Sequence, residues 1–304
     1  MSYIGIDKGG ARHTYALANA SGEILLTFQR NTPRDGSAQQ EIVSLCAEIS
    51  GLISEGATRQ DPVSRIGISF GGPVDASKGE TIMSHHVKGW EHIPICSIIE
   101  KKFNIPVVLD NDANCGALAE WKFGAGVGID DLVYINVGTG IGGGVVANGQ
   151  LVRGAHGVAG EIGHIVLNPN GPACTCERRG CLESYASGRN IERRYRELTG
   201  AHELISGQEI FARAAEGEKE ALAIIWETAE YLAHGISLAV GILDPDIIII
   251  GGGLSEAGPL LFDPLDEALA RYVIPQMAGI KVVPAKLGYE CGVIGAVALA
   301  MHVQ

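Results

Sequence analysis

One pattern constrains this chain more than any other, and it occurs twice. The apolar segment SYIGID at 2–7 runs into an acid and two glycines, and segments at 12–19 and 23–30 follow it, joined by Ser21-Gly22. At 131–138 the pattern restarts: DLVYINVG ends in glycines and is followed by GGGVVANG at 142–149, which closes on Asn148-Gly149. Apolar runs separated by such dipeptides read as strands joined by hairpin turns, because these residues tolerate the positive φ that tight hairpins need. Each hairpin leads into alternating helix and strand signals. In the first half, Ser37 opens a helix with Gln40 as its capping-box partner. Ile42, Leu45, Cys46, Ile49, Leu52 and Ile53 form the apolar stripe of that helix. Strands follow at 65–70, entering Gly71-Gly72-Pro73, and at 106–110, entering Asn111-Asp112, with a helix over about 113–123. In the second half a helix over 219–242 stops before Asp244-Pro245, and DIIIIGGG at 246–253 is a strand with a glycine elbow. Pro259 to Tyr272 is a helix, IKVVPA a strand, and 291–302 a closing helix. Two hairpin-led α/β units in one chain predict a duplicated α/β fold with a cleft between the halves and a boundary near 115–130.

Composition narrows the class. A length of 304 residues suits one large or two medium domains, and 46% hydrophobic residues suffice for a real core. The 42 glycines are about twice the usual share, yet they cluster at strand ends rather than repeating, which excludes collagen-like and low-complexity chains. A net charge of −12 argues against the basic stripe of a nucleic-acid binder. The N-terminus has no charged n-region and long apolar stretch of a signal peptide, and no run reaches the roughly 18 apolar residues of a membrane span. A soluble, cytoplasmic protein is expected.

His164, Cys174, Cys176 and Cys181 have the spacing H-x9-C-x-C-x4-C. Three thiolates and an imidazole are the ligand set of a closed, tetrahedral, structural zinc site. Glu161 and Glu183 flank the cluster, so a metal that pins this loop would also place two carboxylates. Cys46, Cys96, Cys115 and Cys291 stand apart in apolar surroundings and read as reduced core residues.

Three strand ends carry glycines: Asp7-Lys8-Gly9-Gly10, Gly138-Thr139-Gly140-Ile141-Gly142-Gly143-Gly144 and Gly251-Gly252-Gly253. Glycine lets the backbone approach a phosphate and turn its N–H groups toward it. Three such junctions point to a nucleotide cleft. None matches the Walker spacing or the dinucleotide fingerprint. Asp7 either holds Mg²⁺ through water or caps a turn. Thr139 either bonds a phosphate or serves the turn. Asp112 follows the apolar strand PVVLDN, where burial would raise its pKa and a substrate hydroxyl could reach it. Asn111 suits sugar hydroxyls, and the competing reading is that Asn111-Asp112 caps the next helix.

Taken together these residues resemble the repressor, open reading frame, kinase (ROK) family of sugar kinases and sugar-responsive regulators. The resemblance spans nearly the whole chain. It rests on Asp7-x-Gly-Gly, Gly71-Gly72-Pro73-Val74-Asp75, Asn111-Asp112-Ala113-Asn114, the long glycine motif at 138–144, Gly160-Glu161-Ile162-Gly163-His164, the cysteine motif ending in Cys181-Leu182-Glu183, and Gly251-Gly252-Gly253. It implies an actin-like ATPase (ribonuclease H-like) duplicated two-domain fold, with residues 1–115 plus 291–304 as the small domain and 116–290 as the large one. It implies Asp112 as catalytic base, with Gly72, Asn111, Asp112, Glu161, His164 and Glu183 on the sugar. Asp7, Lys8, Gly9, Gly10, Gly138, Thr139, Gly140, Gly252 and Gly253 would hold Mg-ATP, and His164 with Cys174, Cys176 and Cys181 would hold zinc.

The expected activity is transfer of the ATP γ-phosphoryl group to the 6-hydroxyl of a hexose or N-acetylhexosamine, glucose-like first. The expected assembly is a homodimer or homotetramer with no nucleic-acid or membrane partner. The alternative is a sugar-binding regulator of the same family without a DNA-binding domain. Four positions depart from the family pattern. Ala11 stands where a threonine is usual, and Lys8, either a source of charge for the phosphates or a solvated side chain, where an apolar residue is usual. Ser84-His85-His86-Val87-Lys88 precedes Gly89-Trp90 where an Asn is a common sugar contact. Glu177 stands in the cysteine loop where glycine is common.

Overall fold

The computed structural model describes residues 1–10, 12–32, 37–84 and 87–302, so Ala11, His85 and His86 lie outside the described residues. The first elements are β1 (Ser2–Lys8), β2 (Arg12–Ala18), β3 (Ile24–Asn31), α1 (Ala38–Thr58), β4 (Val63–Phe70) and the short pair β5 (Val74–Asp75) and β6 (Glu80–Thr81). Next come α2 (Ile95–Phe103), β7 (Val107–Asn111) and α3 (Asp112–Phe123), then β8 (Leu132–Val137), β9 (Ile141–Ala147) and β10 (Gln150–Val152). The remainder holds α4 (Glu183–Ala186), α5 (Gly188–Thr199), α6 (Gly207–Ala215), α7 (Lys219–Leu243), β11 (Ile247–Gly251), α8 (Pro259–Tyr272), β12 (Lys281–Pro284) and α9 (Cys291–Met301). No helix among the described residues is long and apolar enough to cross a membrane.

The chain divides into two compact units. Unit one holds Met1–Lys122, Arg153–Val158 and the stretch from Tyr289 on; unit two holds Phe123–Val152 and Ala159–Gly288. The break between the units falls at Lys122 and Phe123, at the C-terminal end of α3. Arg153–Val158 joins unit one as well, and Arg153 donates from Nε to Asp110 Oδ2 at 2.7 Å.

Each unit is built on a five-stranded sheet of the same design. Unit one has the order β3-β2-β1-β4-β7, with β1, β2 and β3 antiparallel and β1, β4 and β7 parallel. Unit two has the order β10-β9-β8-β11-β12, again with an antiparallel hairpin side and a parallel side. Parallel strands are covered on both faces, so their sequences run apolar throughout. The Ile247–Ile250 run of β11 is buried along its whole length for this reason.

In unit one, Ile4 and Ile6 of β1 pack with Ile42, Leu45, Ile49 and Leu52 of α1 and with Ile99 of α2. The opposite face of the sheet carries α9. Contact there is so close that a Cβ on Gly67 would lie 2.0 Å from the Ala296 carbonyl oxygen, which only glycine avoids. In unit two, Ile225, Leu232, Ile236 and Val240 of α7 cover Val133, Ile135, Ile248 and Ile250 of the sheet. Ser37 caps α1 as its sequence demands: its side chain accepts from Gln40 N, and Gln40 Oε1 accepts from Ser37 N.

Side chains alternate across a strand, so Asp7 and Lys8 face opposite sides of the sheet. Asp7 points toward α9, where a Cβ on Gly292 would meet its carboxylate at 2.6 Å. Lys8 points into the α1 side, where it is 2% exposed and its Nζ lies 3.1 Å from Glu41 Oε2. Burial pulls the Lys8 pKa down while Glu41 supports the charged form. The lysine is therefore held away from the face that Asp7 serves, and a role as cation for the phosphates does not stand.

His13 lies in the same buried cluster, with Nε2 3.9 Å from Glu41 Oε2. Burial first, and the Lys8 charge second, push its pKa down to about 4, against the pull of Glu41. The native state thus binds fewer protons than the unfolded chain between pH 6.5 and 4, and stability falls as pH drops through that window. The His13 contribution is on the order of 3 kcal/mol. Urea unfolding at pH 7 and pH 4.5 should show a smaller acid loss in His13→Gln than in the wild-type protein. Asp7, whose pKa burial raises despite Ser69 and Arg12, is common to both proteins and cancels in the comparison. An equal acid loss in the two proteins would remove His13 as its source.

Candidate active site

The parallel register of unit one brings three strand ends together. Asp7 pairs with Ser69 across β1 and β4, and Ser69 pairs with Asp110 across β4 and β7. Ser69 Oγ donates to Asp7 Oδ1 at 3.0 Å. Asp7 is thus a buried carboxyl at a sheet edge, beside the N-terminus of α9, where helix N–H groups favour negative charge. Asp110 is 2% exposed and fully engaged: it accepts from Asn111 N at 2.9 Å, Asn114 Nδ2 at 2.8 Å and Arg153 Nε at 2.7 Å.

That network sets the β7–α3 junction. Asn111 Oδ1 accepts from Asn114 N at 2.7 Å, so Asn111 caps α3. The capping alternative is realised by Asn111, whose amide nitrogen can still donate. Asp112 is the first residue of α3 and is exposed, so the burial expected to raise its pKa is absent. Gly72 has φ +155°, and a Cβ there would meet the Met83 carbonyl oxygen at 2.7 Å.

In unit two the turn between β8 and β9 is tied down on three sides. Gly138 N donates to Gly140 O at 3.0 Å, Gly188 N donates to Gly138 O at 2.8 Å, and Arg189 Nε donates to Thr139 O at 3.1 Å. Beside it lies a cavity of about 600 Å³, lined by Gly138, Thr139, Arg189, Gln208, Phe211 and Gly253, among others. The volume lies within the range of small-molecule sites, roughly 300–1,000 Å³. The N-terminal ends of α5 and α6 border it, and such ends favour anions. Gly140 and Gly252 flank this lining. Gly252 has φ +76°, and a Cβ there would lie 2.4 Å from the Val137 carbonyl oxygen. Arg189, Glu192, Gln208, Phe211 and Glu256 were not singled out from the sequence. One signal was present: Ser206 with Glu209 three residues on is the start of α6, and Ser206 Oγ accepts from Glu209 N at 3.2 Å.

His164, Cys174, Cys176 and Cys181 converge in unit two, their ligand atoms all within 4.8 Å of one another. Cys174 Sγ is 3.6 Å from His164 Nδ1, and Cys176 Sγ is 3.6 Å from Cys181 Sγ. A tetrahedron with Zn–S of about 2.3 Å and Zn–N of about 2.0 Å has edges of roughly 3.5–3.8 Å, so the donors fit zinc in chemistry and in spacing. His164 Nδ1 faces the thiols while Nε2 lies 3.9 Å from Glu161 Oε2, which leaves the two ring nitrogens free for different partners. Arg178 donates to His164 O at 3.1 Å and hydrogen-bonds Cys176, bringing positive charge to the thiol cluster. Glu177 has φ +67°, which explains why glycine suits that position.

Glu183, 8% exposed, joins this loop to the glycine turn. Its Oε1 accepts from Thr175 Oγ1 at 3.1 Å and its Oε2 accepts from Ile141 N at 2.9 Å. A Cβ on Gly140 would lie 2.6 Å from Oε2, so the glycine makes room for the carboxylate.

Comparison with known proteins agrees with this geometry. The family model described as "ROK family" matches residues 3–303. The chain is 35% identical to a glucokinase of Thermotoga maritima, over 98% of this chain and 97% of that protein. It is 34% identical to an N-acetylmannosamine kinase of Escherichia coli, over 99% and 98%. A solved ROK family glucokinase from Streptomyces griseus, in complex with glucose and AMPPNP, superposes with a TM-score of 0.82 at 34% identity, covering 99% of each chain.

Removing the cation beside buried Asp110 should be costly, since a hydrogen bond to a charged group contributes roughly 1.5–3 kcal/mol. Arg153→Met should lower the unfolding free energy by about that amount in urea titrations. Unchanged stability would mean that Arg153 is not what balances Asp110.

Proposed function

The chain belongs to the ROK family, and from that premise we propose that it is an ATP-dependent kinase phosphorylating the 6-hydroxyl of a hexose or N-acetylhexosamine, glucose-like first. The observation that carries the reading is the roughly 600 Å³ cavity at the Gly138–Gly140 turn, bordered by two helix N-termini, in a chain whose β7 strand ends at Asn111 and passes directly to Asp112 of α3. Two of the related proteins are kinases of glucose and N-acetylmannosamine, which supports this substrate class.

In this reading Gly138, Thr139, Gly140, Gly252 and Gly253 receive the nucleotide, and Gly9 and Gly10 serve its phosphates. Asp7 would hold Mg²⁺ through water, and the cation would supply neutralisation of phosphate charge. Asn111, Gly72, Glu161, His164 and Glu183 contact the sugar. Asp112 accepts the proton of the 6-hydroxyl as that oxygen bonds to the γ-phosphorus and the bond from the γ-phosphorus to the bridging oxygen breaks, leaving ADP. Phosphoryl transfer asks little more of the protein than positioning and charge neutralisation. Asp112 stands exposed at the start of α3, where a substrate hydroxyl can reach it. His164, Cys174, Cys176 and Cys181 would hold a structural zinc, which would fix the segments that carry Glu161 and Glu183. Reduced thiols and ATP use suit a cytoplasmic protein, and a homodimer or homotetramer is the proposed assembly.

A coupled ADP-release assay across about a dozen sugars tests the activity. Turnover with glucose or an N-acetylhexosamine is expected. Tight binding of a sugar with no turnover of any would favour the regulator. Asp112→Asn should lower kcat by about 10²–10⁴-fold and leave sugar affinity nearly unchanged. A variant keeping more than about a third of wild-type turnover would reassign Asp112 to the start of α3. Elemental analysis after chelator-free purification should find close to one zinc per chain, and well under one would remove the metal.

A further inference from the structure

We propose that Glu41 is a positioning residue that braces three loops of unit one through a single buried carboxylate, so that it sets both nucleotide and sugar affinity without touching either ligand. The proposal rests on the kinase reading for its assay. Glu41 lies on α1, a 21-residue capped helix, and its side chain is fully buried. One oxygen, Oε2, receives both Lys8 Nζ at 3.1 Å and Trp90 Nε1 at 3.0 Å. The Lys8 ammonium also lies 4.5 Å from the Trp90 ring centroid and 5.2 Å from that of Phe70. Phe70 and Trp90 are themselves in contact, with centroids 5.3 Å apart.

Each partner leads into a different loop. Lys8 immediately precedes Gly9-Gly10, and Phe70 immediately precedes Gly71-Gly72. Trp90 closes the arm that starts after β6, and its carbonyl accepts from Thr81 Oγ1 at 2.6 Å. The same arm supplies the Met83 carbonyl against which Gly72 is seated. Backbone contact reinforces the join, since Gly71 N donates to Lys8 O at 3.1 Å. In a site of low dielectric an ammonium and a carboxylate cannot separate without leaving a buried charge unpaired. Displacing any one loop therefore strains the other two, and the carboxylate that prevents it is carried by a rigid helix. Glu41 Oε1 has no protein partner among the described residues, so the bracing load falls on Oε2.

Four variants separate bracing from simple stabilisation. Lys8→Met and Glu41→Gln each leave one charge unmatched. The double variant K8M/E41Q removes both charges and keeps an acceptor for Trp90. Trp90→Phe keeps an aromatic ring for the ammonium, loses the arm's hydrogen bond and leaves a smaller side chain at a buried position. The measurements are the Kd of a non-hydrolysable ATP analogue by calorimetry and the sugar KM by steady-state assay, well below each variant's Tm.

Both single charge variants should weaken nucleotide binding and raise the sugar KM by about fivefold or more, and the double variant should return both to within about twofold of wild type. Trp90→Phe should raise the sugar KM and weaken nucleotide binding less than the charge variants do. A purely structural role would lower the active fraction, hence apparent kcat, while KM and Kd stayed at wild-type values, and that result overturns the proposal. A double variant that keeps the weakened affinities overturns it as well. Should the single charge variants fail to fold, Trp90→Phe decides alone: an unchanged sugar KM ends the proposal. If the wild-type protein turns over no sugar, the kinase reading fails, while the nucleotide Kd of the charge variants still tests the brace.

Discussion

Glu183 is the interaction on which the candidate site depends. One carboxylate accepts from the Thr175 hydroxyl of the cysteine loop and from the Ile141 amide of the glycine turn. The loop that gathers three thiols and His164 and the turn that borders the nucleotide-sized cavity are thereby a single assembly within unit two. Neither half could place the carboxylate alone. The glycine turn needs an acceptor for its amide, and the cysteine loop has little regular secondary structure beyond two isolated bridges to hold its shape. A metal bound by His164, Cys174, Cys176 and Cys181 would supply that rigidity, and outer-shell hydrogen bonds such as that of Thr175 to Glu183 would pass it on.

Unit one meets the same positioning problem with strand register and hydrogen bonds. There the parallel register of β1, β4 and β7 aligns Asp7, Ser69 and Asp110 at one sheet edge. Asp110 then satisfies the junction backbone, Asn114 and Arg153, and Asn111 caps α3. The outcome is that Asp112 is presented as the first residue of a helix rather than sunk in a pocket. That placement favours access for a hydroxyl, which suits a reaction that proceeds mainly by orientation and electrostatic stabilisation.

Much of this was legible in the chain itself. The hairpin turns at Ser21-Gly22 and Asn148-Gly149, the capping box at Ser37 and the apolar runs of β4, β8 and β11 carry strong local signals, and the structure has elements at each of them. The ligand cluster was legible too, because sulfur and imidazole at short spacing have few other uses. Less legible were α2 and α4 to α6, which are short, the longest of them 12 residues, and offer few apolar positions. The cavity residues Arg189, Gln208 and Phe211 come from those helices, and so escaped a reading based on glycine motifs. Lys8 shows a different failure. Its neighbours Asp7 and Gly9 suggested phosphate, but strand alternation already required it to face away from Asp7, toward the side where Glu41 waits. The motif located the residue along the chain, and the period of the strand decided its chemistry.

The tie between Thr175, Glu183 and Ile141 is most directly tested by calorimetric titration of the best sugar substrate into Thr175→Val beside the wild-type protein. This substitution removes the hydroxyl that holds Glu183 and leaves all four donors of the metal loop in place. The account predicts an unchanged zinc content and a loss of about tenfold or more in sugar affinity, the equivalent of one hydrogen bond to a charged group. Sugar affinity equal to wild type at unchanged zinc content would contradict it, and would show that the cysteine loop does not position the carboxylate.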